Sequence, residues 1–86
     1  MLSIKNMCSP SSNKAVANQF LISDTDKNCT VYQSYKTVIA VALHDVKTIR
    51  VVNKYYSRTT NKYTRLFISQ YKNYAVDYVN EGELCV

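Results

Sequence analysis

A chain of 86 residues has room for one small domain. With 47% hydrophobic and 20% charged residues it is globular rather than disordered, and its single Gly and single Pro exclude collagen-like and Gly-rich linker classes. Eleven Lys and Arg against six Asp and Glu leave a net charge of +5, which favours polyanions or acidic protein surfaces as partners.

Residues 1–14 are polar and carry Ser9-Pro10-Ser11-Ser12-Asn13, which predicts a flexible N-terminal arm ahead of a single α+β domain over residues 15–86. Ala15 to Ile22 predicts a first strand, closed by the turn-forming Ser23-Asp24-Thr25-Asp26-Lys27-Asn28. Cys29 to Gln33 predicts a second strand, antiparallel to the first because the loop has hairpin length. Ser34 to Lys36 then reads as a turn at the sheet rim.

Thr37 to Leu43, TVIAVAL, is β-branched and apolar at successive positions, the pattern of a strand covered on both faces. His44-Asp45 reads as a turn, and Val46 to Val52 as a fourth strand with Lys47 and Arg50 on opposite faces. Thr59 or Thr60 is placed to cap a helix carrying Tyr63, Leu66, Phe67 and Gln70. Tyr71, Tyr74, Ala75, Tyr78 and Val79 repeat at helical spacing and predict a second helix capped by Ser69, with Gly82 as its C-terminal stop. The expected fold is a small antiparallel sheet of about four strands followed by one or two C-terminal helices packed on one face. Leu84-Cys85-Val86 is expected as a short final strand.

The chemistry-bearing segment is Lys54 to Tyr74. No acidic residue lies between Val46 and Val76, while the last ten residues hold Asp77, Glu81 and Glu83 and no base. Lys54, Tyr55, Tyr56, Arg58, Thr59, Lys62, Arg65 and Lys72 are the candidate binding residues. Cations meet phosphates, planar rings stack on unpaired bases, and Arg offers a bidentate fork. Tyr with Arg is equally the chemistry of protein–protein hot spots, so the direct ligand is a nucleic acid or a protein that handles one. Of the tyrosines, Tyr63, Tyr71, Tyr74 and Tyr78 lie on helical stripes, where roughly half of the rings are expected in the core.

No enzymatic activity and no cofactor are expected. The single histidine, His44, adjoins Asp45 but points away from it on extended chain, and one Gly cannot build a phosphate-binding loop. Cys8, Cys29 and Cys85 lack the close spacing of a zinc site and read as free thiols. The longest apolar run, Val38 to Leu43, is far below the ~20 residues of a membrane helix. At this size only about 60% of the unfolded surface can be buried, a thin core that leaves pairing of two copies open.

Asn18-Gln19-Phe20, Tyr32-Gln33-Ser34-Tyr35, Val38-Ile39-Ala40 and Tyr56-Ser57-Arg58-Thr59-Thr60-Asn61-Lys62-Tyr63, with a helix ending at Leu66-Phe67, carry a resemblance. Over about residues 13–86 the chain resembles a family of short proteins encoded by phages and other mobile elements of Gram-positive bacteria. It departs from that pattern at Val31-Tyr32, where the family has Phe, and at Ser69-Gln70, where the family has Gly after the helix. The resemblance implies an accessory protein in the bacterial cytoplasm that occupies a host nucleic-acid-handling or defence protein, with direct DNA or RNA binding as the alternative.

Overall fold

Strand residues outnumber helical ones, 48% to 18%, in the computed structural model, which describes residues 1–84. Six strands form one sheet in sequence order: β1 (Leu2–Cys8), β2 (Ala15–Asp24), β3 (Cys29–Ser34), β4 (Thr37–Leu43), β5 (Thr48–Val52) and β6 (Ala75–Val79). The first five run as an antiparallel meander. One helix, α1 (Arg58–Ser69), crosses over from β5 and returns the chain to β6, which pairs parallel to β5. The sheet is therefore mixed, with six strands and one helix where the sequence pattern predicts about four antiparallel strands and one or two C-terminal helices.

Three local readings change with it. Leu2–Cys8 is an edge strand on β2 rather than a mobile arm. Lys47 sits in the turn before β5 at φ 48°, so only Arg50 of that basic pair belongs to the strand. The second helix does not form. Ser69 donates to the Leu66 carbonyl, Gln70 and Tyr71 close short turns, and the chain enters β6. Tertiary context decides this: β5 offers an open edge, and Val76, Tyr78 and Val79 suit a strand. Gly82 lies in a 3-10 turn, Glu81–Glu83, not at a helix end. The expected final strand falls at Leu84, which is not in a strand, and at Cys85 and Val86, which lie outside the described residues.

Alternation explains the two packed faces. Leu21, Tyr32, Ala40, Ala42, Ile49 and Val51 point to the helix side and bury Tyr63 and Phe67. Cys29, Val31 and Val41 point to the other side, where they are buried among Ile22, Val38, Leu43 and Leu84. TVIAVAL is thus apolar at successive positions, and its side chains on both faces are buried. A register shift between Tyr32 and Gln33 lets Ile39 join Ala40 on the helix side.

A polar layer joins helix to sheet. Ser57 caps α1, its Oγ accepting from the Thr60 N–H at 3.1 Å, so the cap falls two residues before Thr59. The buried Tyr32 hydroxyl donates to Gln19 Oε1 at 2.6 Å and approaches the Thr60 carbonyl at 3.4 Å. The Ser34 and Thr60 hydroxyls lie 3.1 Å apart, and Ser57 Oγ donates to Thr60 Oγ1. Nearby, Asn18 and Tyr35 adopt left-handed φ of 66° and 56°, and the Tyr35 N–H donates to the Asn18 carbonyl at 2.7 Å.

Burial pushes the Tyr32 phenol up to about 12 from its ordinary value of 10.0, against the lowering influence of the Ser34 and Thr64 hydroxyls. The folded chain holds this proton more tightly than the unfolded chain. The linked stabilisation is fully present below pH 10 and is lost as pH rises towards 12. Tyr32→Phe is expected to cost about 1–3 kcal/mol at pH 7, because Gln19 loses its donor in a buried site. It is also expected to flatten the loss of stability between pH 10 and 12; urea unfolding of both proteins across that range measures both effects.

Candidate functional site

A regular helix advances 100° per residue, which fixes the face each side chain of α1 takes. Thr60, Tyr63 and Phe67 define the buried face. Arg58, Lys62 and Arg65 fall opposite it, all exposed, and form a crest of three cations along the helix. No acidic residue occurs in α1, and none of the three cations makes an ion pair among the described residues. Asn61, Thr64 and Ile68 occupy the flank that turns towards β6.

Between that flank and the sheet lies a groove of about 370 Å³. Its floor is Ile39, Val51 and Val52, and its walls include Lys54, Tyr55, Tyr56, Arg65 and Tyr78. Tyr55 and Tyr78 are 68% and 62% exposed, so both rings are available to a partner. Lys54 Nζ lies 5.3 Å from the centre of the Tyr56 ring and pairs with Glu81 at 2.9 Å. Hydrogen bonding and charge from Glu81 raise the Lys54 ammonium. Both partners are more than half exposed, so solvent screens the pair and it holds the tail only loosely. Burial, then the Glu81 charge, push the Tyr56 phenol up.

Six of the eight expected site residues therefore come together: Lys54, Tyr55, Tyr56 and Arg65 around the groove, with Arg58 and Lys62 on the adjoining crest. The other two stand apart. Thr59 turns to the opposite flank of the helix, the side of Leu66, which lines a separate cleft with Met7 and Leu21. Lys72 lies beyond the C-terminal end of α1.

Tyr78 is the residue that the helical reading hides. Its spacing from Tyr71 and Tyr74 fits a helix, but the alternation of Val76, Asp77 and Tyr78 is the signal of the strand that sets it in the groove wall.

Four further tyrosines are structural, while Tyr35 stands exposed in the turn after β3. Tyr32 and Tyr63 are buried in the core. Tyr71 and Tyr74 stack with centroids 5.0 Å apart and close over His44. His44 Nδ1 lies 2.7 Å from the Tyr74 hydroxyl and Nε2 lies 2.9 Å from Thr30 Oγ1, so both ring nitrogens are engaged in a structural joint. Asp45 bonds Asn28 instead. Among the described residues, no three His, Cys, Asp or Glu side chains gather as a metal site requires. No helix among the described residues is long and apolar enough to cross a membrane.

Residues 2–81 match the model of a family of unknown function, DUF8033. The chain belongs to that family. No curated protein and no solved structure matches it. In this DUF8033 chain the patterned residues Gln19, Tyr32, Ser34, Ser57 and Thr60 are the polar layer between helix and sheet, whereas Arg58 and Lys62, in the same stretch of pattern, face outward.

The hydroxyl of Tyr56 is buried and has no hydrogen-bond partner among the described residues. Tyr56→Phe removes that unmet polar group and is expected to leave stability unchanged or to raise it by up to about 1 kcal/mol, measured by chemical denaturation.

Proposed function

We propose that this chain is a binding protein rather than an enzyme. Its partner is an acidic surface on a nucleic-acid-handling or defence protein of a bacterial host, and the chain acts by occupying that surface. The phage or mobile-element setting rests on the resemblance carried by the Gln19, Tyr32 and Ser57–Tyr63 patterns.

One observation carries the reading: an acid-free crest of Arg58, Lys62 and Arg65 adjoins a groove walled by exposed tyrosines. Arg and Tyr are the side chains that contribute most at protein interfaces, since each couples a large contact area with a polar end. Glu81 on the groove rim favours a protein partner over a phosphate backbone. Glu81 pairs with Lys54, and protein interfaces commonly carry such charges of both signs on their rims, whereas a phosphate backbone offers only one sign. Nuclease centres that hold divalent cations concentrate carboxylates, and such a centre matches the crest in sign.

Direct DNA or RNA binding is the second reading, favoured by the three cations aligned on one helix face without a compensating acid.

Two measurements separate them. Arg58→Ala with Arg65→Ala is expected to weaken a nuclease-resistant protein complex at least about tenfold while leaving the melting temperature unchanged, since both side chains are exposed and unpaired. Retention on DNA or RNA oligonucleotides that falls with salt at a log–log slope of about −0.9 or −0.7 per phosphate contact would transfer the function to the second reading. A double variant that melts far below the parent would remove both residues from the binding surface.

A further inference from the structure

The two edges of the sheet differ. On β1, Lys5 points to the helix side beside Leu21 and Met7, and the pairing with β2 breaks between Asn6 and Cys8. An inward charge and a break in register both discourage a further strand. The edge of β6 has neither. Its helix-side residues are Val76 and Tyr78, which are 39% and 62% exposed because α1 does not reach over them.

The backbone of β6 is oriented for addition. The Ala75 N–H donates to the Lys47 carbonyl, and the Val79 carbonyl accepts from the Asn53 N–H, so these groups face β5. In a parallel pair the main-chain groups of alternate residues point to opposite neighbours. The N–H and C=O of Val76 and Tyr78 therefore point to the open side. A strand added there would place alternate side chains on the helix side, beside Tyr78 and the groove that holds Tyr55, Lys54 and Arg65.

We propose that β6 is a strand-addition site for an extended acidic segment of the partner protein. This rests on the binding reading above and names its mode. Main-chain hydrogen bonds to Val76 and Tyr78 supply register, and alternate side chains of the segment enter the groove. The groove has a preference in charge and shape. Arg65 is unpaired among the described residues and takes a carboxylate, Lys54 already holds the Glu81 carboxylate at its rim, and Val76, Tyr55 and Tyr78 take apolar side chains. The occupant thus alternates acidic or apolar groups towards the groove with solvent-facing positions of any type.

The test is selection of a displayed library of random ten-residue peptides against the full chain. Enriched peptides are expected to carry Asp or Glu spaced two residues from apolar groups and to slow hydrogen exchange at the Val76 and Tyr78 amides. Val76→Pro removes the outward N–H without removing a bond to β5 and is expected to weaken these peptides about tenfold, with Arg65→Glu weakening them at least as much. Circular dichroism reports whether the proline variant keeps its fold, and exchange in the unmodified chain gives the answer independently of it. No enrichment, or enriched peptides that leave Val76 and Tyr78 exchange unaltered, overturns the proposal. A partner lost with Arg58→Ala and Arg65→Ala but retained by Val76→Pro rejects strand addition and keeps the binding reading. A partner retained by both rejects both.

Discussion

The buried hydroxyls of Tyr32, Ser34 and Thr60 have to find partners inside the protein, and that shared requirement sets where the helix sits. Tyr32 is fully buried on the helix side of β3, where an unmet hydroxyl would cost on the order of 1–3 kcal/mol. Gln19 on β2 supplies the acceptor, and the Thr60 carbonyl lies on the far side. Thr60 belongs to the first turn of α1, where it also meets Ser34 and the capping Ser57. One polar layer thus ties two central strands to the start of the helix. Apolar packing of Tyr63 and Phe67 holds the helix down, but it is non-directional. The hydroxyl network sets register, because a shift along the axis would leave several buried groups unpaired at once.

The binding surface follows from that placement. With Thr60, Tyr63 and Phe67 facing the sheet, Arg58, Lys62 and Arg65 have no choice but to face solvent. The same cap sets the path of residues 53–57, which carries Tyr55 and Tyr56 to the mouth of the groove. The scaffold residues and the outward cations are interleaved in one short stretch, Ser57 to Tyr63, so the pattern that makes the chain recognisable mixes a structural joint with a surface.

Much of this was legible from sequence because local rules coincide with the fold. Ala15–Asp24, Cys29–Ser34 and Thr37–Leu43 have strand composition and turn residues between them; the structure extends the first two by two and one residues at their C-terminal ends and keeps the third unchanged. The helix over residues 58–69 follows its Tyr63–Phe67 spacing. The failures have a common cause. Leu2–Cys8 and Ala75–Val79 are edge strands that acquire their structure from a neighbour, and the short alternation of Val76, Asp77 and Tyr78 is outweighed by the longer helical period around it. Tyr71, Tyr74 and Tyr78 satisfy a helical period by coincidence, since the first two pack on His44 and the third stands on β6. Lys54, Tyr55, Tyr56 and Arg65 were legible as a charged aromatic cluster. Their convergence with Tyr78 was not, because it depends on a crossover that only the pairing of β6 with β5 reveals.

The groove itself has a geometric origin. Six strands spaced about 4.8 Å apart make a sheet roughly 24 Å wide, while a helix with its side chains covers about 10–12 Å. A single helix centred on the middle strands must leave both margins of that face open, and no second helix among the described residues closes them. The two margins are not equivalent. On the β1 side the opening is lined by Met7, Leu21, Leu66 and Pro10 with Lys5 at its border, and the hairpin of residues 9–14 leans over it. On the β6 side the last strand is short and exposed, and the loop that enters the helix brings Lys54 and two tyrosines to the rim. The charge of the chain sharpens this asymmetry, because the acid-free stretch from Val46 to Val76 builds the wall on that side, while Glu81 closes only its end. A thin core therefore does more than limit stability: it leaves one margin of the sheet, already equipped with cations and rings, without a cover among the described residues.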